Sequence, residues 1–102
     1  MTAPATLELH DATLRFSGRL LRDAVNALWA ALPADGCTVI DLAQVNALDT
    51  AGLSLLVEVA ARGRRARGVS PRIINTPAGY DALCAAYRIR PDLEDCPDAP
   101  LV

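Results

Sequence analysis

Lysine is absent: every basic residue of the 102-residue chain is an arginine. That removes lysine Schiff-base chemistry and the phosphate-loop lysine from consideration. Histidine occurs once, as His10, and a lone imidazole with no cysteine near it supports neither a metal site nor an acid–base pair. Aromatic residues make up only 4% of the chain against 52% apolar residues overall, so the core must be built from Leu, Val, Ile and Ala. Cys37, Cys84 and Cys96 are odd in number and widely spaced, with no C-x-x-C pair, which indicates neither a disulfide framework nor a zinc site. A glycine-rich phosphate loop is also missing. With no nucleophile, base and metal in evident reach of one another, the chain is expected to be non-catalytic, without cofactor or metal. No apolar run approaches the roughly 18 residues that span a bilayer, and no signal-like segment opens the chain; the expected location is cytoplasmic.

What is present fits one domain. The net charge is −2, unevenly spread. Residues 91–102 hold Asp92, Glu94, Asp95 and Asp98 without one arginine, leaving the rest of the chain at +2. Neither balance suggests nucleic-acid binding. The division expected is a domain over 1–90 and an acidic, proline-containing tail over 91–102, poorly ordered or packed as an irregular strap.

Thr6 to Leu9 and Thr13 to Phe16 alternate around His10-Asp11-Ala12, which predicts an antiparallel hairpin ended by Ser17-Gly18. From Leu20 to Leu32 the residues Leu21, Ala24, Val25, Leu28, Ala31 and Leu32 share a helical face, with Trp29 at its edge and Pro33 and Gly36 closing it. Cys37 to Leu42 read as a central strand covered on both faces. Thr50 to Arg67 form a second helix ended by Gly68. Its core stripe of Leu53, Leu56, Val57 and Ala60 is extended by Leu55, Val59 and Ala66; the surplus either binds a partner or is wrapped by other elements. Arg62, Arg64, Arg65 and Arg67 either complement the helix dipole or face acidic protein or lipid headgroups. Ser70 to Asn75 predict another strand, and Thr76-Pro77 a helix start, with Tyr80, Leu83, Cys84 and Tyr87 facing the core. This order gives an α/β sandwich with a mixed sheet of four to five strands and three to four helices.

The segment from Asp41 to Leu53 carries the functional signal. A strand ending in Asp41-Leu42 runs through a short loop to Asp49, a side-chain acceptor for the orphan amides of the helix that Thr50 opens. Gly52 has no side chain to screen those amides, so a protein surface or an anion is expected to approach the backbone there. Asp41, Leu42, Asp49, Thr50, Gly52 and Leu53 resemble the pattern of the STAS family, and the likeness covers nearly the whole chain. The resemblance implies a STAS fold and a partner-binding surface at Asp49, Thr50, Ala51, Gly52, Ser54 and Leu55, with Thr50 as a possible phosphoacceptor. Family members that antagonise anti-sigma factors usually carry a kinase-targeted serine where Thr50 stands; MlaB-like members often carry threonine. Leu28-Trp29 and Leu83 to Ile89 add to the MlaB-like resemblance. It implies an adaptor for the ATPase subunit (MlaF-like) of a phospholipid ABC transporter, attached to the inner membrane through that partner. The alternative is an anti-sigma factor antagonist that captures an anti-sigma kinase and is switched by phosphorylation of Thr50. Ala47 and Ala51 are small where members vary, and the acidic tail has no family role.

Overall fold

The structure, a computed structural model, describes residues 5–89. The elements are β1 (Thr6–His10), β2 (Thr13–Leu20), α1 (Arg22–Ala30), β3 (Val39–Leu48), α2 (Thr50–Arg67), β4 (Arg72–Ile74) and α3 (Tyr80–Ala86). The acidic tail expected over 91–102 lies outside the described residues. The sheet runs β1-β2-β3-β4, with β1 and β2 antiparallel and β2, β3 and β4 parallel. The α/β sandwich with a mixed sheet of four strands and three helices is thus the architecture expected.

The hairpin turns on Asp11 and Ala12, both at positive φ (50° and 65°). That twist suits a two-residue connection between right-twisted strands, although alanine is a poor residue for it. The position is held from outside: the Ala12 carbonyl accepts from the Thr38 and Val39 amides at 2.9 and 3.3 Å and from the Thr38 hydroxyl at 3.1 Å. The turn is thereby fastened to the start of β3.

Two strands outrun their expected ends. β2 does not stop at Ser17-Gly18; its pairing with β3 shifts register between Arg15 and Ser17 and again between Gly18 and Arg19, and continues to Leu20 opposite Leu48. Gly18, at φ 89°, absorbs an irregularity in the strand instead of ending it. Given that partner, Ala43 to Leu48 pair as strand too, where a loop was expected. The first helix correspondingly begins at Arg22, since Leu20 is sheet and fully buried.

Leu14, Phe16, Ile40 and Leu42 are buried together with Val25 and Leu28 of α1 and Leu53, Leu55, Leu56, Val59 and Ala60 of α2. These side chains alternate along the strands with Arg15 and Asp41, so the helices share one face of the sheet. The expectation that β3 is covered on both faces is not met: in register across the other face stand Glu8, Arg15, Asp41 and Ile74, of which Glu8 and Arg15 are exposed. Asp41 is nevertheless buried. Its carboxylate accepts from the Ala43 amide at 3.0 Å, the Asn75 side-chain amide at 3.1 Å and Arg15 Nε at 3.4 Å. The Ala43 amide first, then Asn75 and Arg15, hold its pKa below the ordinary carboxylate value against the opposing effect of burial.

Cys37 and Cys84 are buried free thiols. Burial pushes Cys37 up to about 11, and Cys84 is also raised, chiefly by burial. A reactive thiolate at either position is therefore disfavoured. In a Cys96→Ser background we expect no reaction of the native protein with a thiol reagent at neutral pH and two reactive thiols after denaturation. Labelling of the folded chain at the rate of a free thiol would contradict this packing.

Candidate partner interface at the start of α2

Asp49 organises this end of the molecule. One carboxylate oxygen accepts from the Gly52 amide at 2.9 Å, which caps α2, and the other accepts from the Arg22 amide at 2.9 Å at the start of α1. The α1 N-terminus has no side-chain cap of its own, because the flanking residue is Leu21. A single carboxylate therefore fixes the first turns of both helices, and its charge favours the positive end of each helix dipole. The Asp49 amide also donates to the Leu20 carbonyl at 3.3 Å, tying the β3–α2 junction to the end of β2.

Thr50 and Ser54, one turn apart, are exposed on this anchored helix end; Ala51 and Asp49 are half-buried. The Ser54 hydroxyl donates back to the Thr50 carbonyl at 3.0 Å. Gly52 and Leu55 face the other way. Gly52 is buried, and a Cβ there would overlap the Leu20 carbonyl oxygen and stand 2.8 Å from Leu48 Cδ1. The expectation that Gly52 leaves amides open to a partner is corrected: its missing side chain admits the end of β2. Leu55 is fully buried and serves the core rather than a contact surface. Among the six residues expected to bind, Thr50, Ser54, Ala51 and Asp49 form the accessible set, and Gly52 and Leu55 support it from beneath.

The apolar surplus of α2 is core as well. Leu55 and Val59 are completely buried, on the side where Arg62 Nη1 donates to the Leu32 and Pro33 carbonyls just after α1. The helix is wrapped by α1 on that flank, and only Ala66 of the surplus is exposed. Two of the clustered arginines are likewise structural: besides those contacts Arg62 pairs with Glu58 at 2.7 Å, and Arg67 donates to the Asp35 carbonyl at 2.7 Å. A close approach lies beneath them. Gly63 and Gly36 meet where a Cβ on Gly36 would stand 2.5 Å from the Gly63 nitrogen.

Sequence reasoning missed the second wall of the site. Thr50, Ala51, Leu53 and Ser54 face Tyr87 and Ile89 across an open groove of about 220 Å³. Tyr87 was expected in the core with Tyr80; Tyr80 is buried, but Tyr87 is 56% exposed. The reason is the way α3 ends. Arg88 takes a left-handed conformation (φ 55°), its amide donates to the Ala85 carbonyl, and the Ile89 amide donates to the Cys84 carbonyl at 2.8 Å. This pair of bonds is a Schellman cap. It carries Tyr87 out of the core face and folds Ile89 back against the core. The usual signal for such a cap is glycine, and arginine occupies its place here. The start of α3 differs as well: Gly79 precedes the helix after a turn closed by the Tyr80 amide on the Pro77 carbonyl, so Thr76 is not the cap.

A helix N-terminus fixed by an aspartate, presenting a hydroxyl beside a small groove, on a mixed sheet with helices on one face, defines a STAS-type domain. The chain belongs to the STAS family: the family model described as "Mlab, STAS domain" matches residues 5–90. Among solved structures, an antisigma-factor antagonist STAS domain from Rhodobacter sphaeroides has the same fold. The two are 24% identical, with a TM-score of 0.54 over 70% of this chain and 84% of that one. No curated protein sequence matches the chain significantly.

Proposed function

We propose that this chain is a non-catalytic adaptor that docks the Thr50 end of α2 onto the cytoplasmic ATPase subunit of an Mla-type phospholipid ABC transporter. In this reading it stabilises that subunit and is held at the inner membrane through it. The observation that carries the proposal is the division of labour around Asp49. Buried Gly52 and Leu55 and the double cap make the helix end rigid, while Thr50, Ala51 and Ser54 stand outward beside Tyr87. A rigid surface loses little freedom on association, which favours binding. The family model that matches carries the description "Mlab, STAS domain", and the MlaB-like resemblance is the ground for taking a transporter ATPase as the partner. Among the described residues no helix is long and apolar enough to cross a membrane, so attachment through a protein partner is the route proposed.

A second reading has one observation in its favour. The solved STAS domain with this fold is an antisigma-factor antagonist, and the exposed Thr50 stands where phosphorylation would add nearly two negative charges beside Asp49. Under that reading the partner is an anti-sigma kinase.

The test is a tagged pull-down from detergent-solubilised cells, with wild type and Thr50→Glu side by side. Wild type should retain an ABC ATPase with its permease, and Thr50→Glu should lose at least about tenfold in affinity, on the order of 1.4 kcal/mol, with an unchanged circular dichroism spectrum. Recovery of a kinase-like anti-sigma factor with phosphorylated Thr50 would replace the adaptor by the switch. Equal capture by folded Thr50→Glu would remove the interface from both readings.

A further inference from the structure

We propose that the outer edge of β1 is a self-association surface, at which two copies of this chain pair antiparallel about Leu9 and join their four-stranded sheets into one. Among the described residues β1 pairs with β2 alone, so its other side is an edge of the sheet. The opposite edge, β4, has three residues and is followed by Asn75 at φ 57°, which leaves little to pair with. β1 has five residues, contains neither proline nor glycine, and carries Leu9 at 52% exposure. A strand edge of this kind is a template for another strand.

The hairpin turn fixes which backbone groups face outward. A two-residue connection makes His10 and Thr13 a hydrogen-bonded pair. The alternation of an antiparallel ladder then turns the backbone groups of Thr6, Glu8 and His10 toward β2 and those of Leu7 and Leu9 away from it. A second β1 bonds through these outward residues, in a register centred on Leu7, Glu8 or Leu9. Centring on Glu8 sets two carboxylates directly opposite each other, which is unfavourable. Centring on Leu7 sets Glu8 against Thr6 and leaves Leu9 beside Ala5. Centring on Leu9 sets leucine against leucine and each Glu8 against the second copy's His10.

The last register matches charge across the open face of the sheet. Asp41, Arg15 and Glu8 stand in register across β3, β2 and β1, and the second copy's imidazole extends that alternation of acidic and basic side chains by one strand. A ring N–H is available to a carboxylate whether the imidazole is neutral or protonated. Within the chain His10 meets Asp11 at 3.5 Å, with both side chains at 90% exposure or more, a weak contact that does not compete. The hairpin also leaves an open groove of about 490 Å³ lined by Glu8, Leu9, His10, Asp11, Thr13 and Arg15, which gives the incoming side chains room. Leu9 lies near the turn, which is fastened to the start of β3, so the axis of the pair is remote from the β3–α2 junction. Both Thr50 surfaces stay open, at opposite ends of the joined sheet. The pairing is independent of the function proposed above; that it makes an adaptor with two docking ends rests on that reading.

The contact is short and belongs with small, transient interfaces, so the test is a concentration series. Sedimentation equilibrium of the full chain in a Cys96→Ser background, which excludes pairing through that thiol, should give an average mass rising toward two chains by about 1 mM. Leu9→Lys and His10→Glu should each raise the dissociation constant about tenfold or more. Their circular dichroism spectra should be unchanged, since both positions are exposed. Leu9→Cys in the same background should form a disulfide dimer on mild oxidation, because Cα atoms of a hydrogen-bonded pair stand about 5.5 Å apart, inside the roughly 4.4–6.8 Å that a disulfide spans. Glu8→Cys should couple more slowly. A mass of one chain throughout would overturn the proposal, and so would association that Leu9→Lys leaves unchanged. Faster coupling through Glu8→Cys than through Leu9→Cys would overturn the register. Pairing without capture of an ATPase would remove the adaptor and keep the self-association; capture by a chain that stays single would do the reverse.

Discussion

Gly52→Ala should destabilise the domain by about 2 to 4 kcal/mol, although alanine is the better helix former by roughly 1 kcal/mol. The new methyl group would overlap the Leu20 carbonyl oxygen, a backbone atom that moves only if β2 or α2 moves, and would press on Leu48 Cδ1 at 2.8 Å. Rotamer adjustment relieves the second contact but not the first. The same substitution at Gly63 in the same helix makes the control. It gains the same propensity but meets Cys37 O at 2.9 Å and Pro71 Cγ at 3.0 Å, so its cost should be smaller. Thermal unfolding monitored by circular dichroism should place Gly52→Ala roughly 10 °C or more below wild type, with Gly63→Ala between them. If Gly52→Ala proves neutral, the α2 N-terminus is not seated on the end of β2. The displacement also bears on function, because whatever moves Gly52 moves Thr50.

Asp49→Ala should cost about 2 kcal/mol, twice the typical value of one helix cap, because two amides lose their acceptor at once. The bonds from Gly52 and Arg22 are both 2.9 Å and end on different oxygens of the carboxylate. Asp49→Ser, with one short acceptor, should recover the α2 cap but not the bridge to α1, and so fall between alanine and wild type. Hydrogen exchange resolves the two contributions. In Asp49→Ala both the Gly52 and Arg22 amides should lose protection, and in Asp49→Ser that of Arg22 alone. Equal stability of Asp49→Ala and Asp49→Ser would mean that one carboxylate does not serve both helices.

The hairpin, the α2 limits, the Asp49 cap and the closing Gly68 were legible in the sequence because each depends on a local rule. Alternation, helical periodicity, a short acceptor before a helix and a left-handed glycine after it act within a few residues. Gly68 does sit at φ 80° with its amide on the Arg64 carbonyl at 2.7 Å. The length of β3 was not read from the sequence. Ala43-Gln44-Val45-Asn46 does alternate, but over four residues with Val45 as its one β-branched member, and it pairs as strand because β2 continues past its irregularities beside it.

The site divides in the same way. Asp49, Thr50 and their place at a helix start, which mark an exposed surface at the beginning of α2, follow from residue chemistry. Which neighbours share that surface depends on contacts far apart in the chain. Gly52 and Leu55 turn inward because β2 and α1 pack there, and Tyr87 turns outward because a Schellman cap forms on an arginine. Sequence alone determined the element order, the capping aspartate and the exposed hydroxyl, since these are set by backbone propensity and short-range hydrogen bonding. Only the tertiary structure decided which face of α2 is open, how Asp49 joins two helices, and that Tyr87 and Ile89 complete the groove, since burial is a property of the packed chain and not of any one segment.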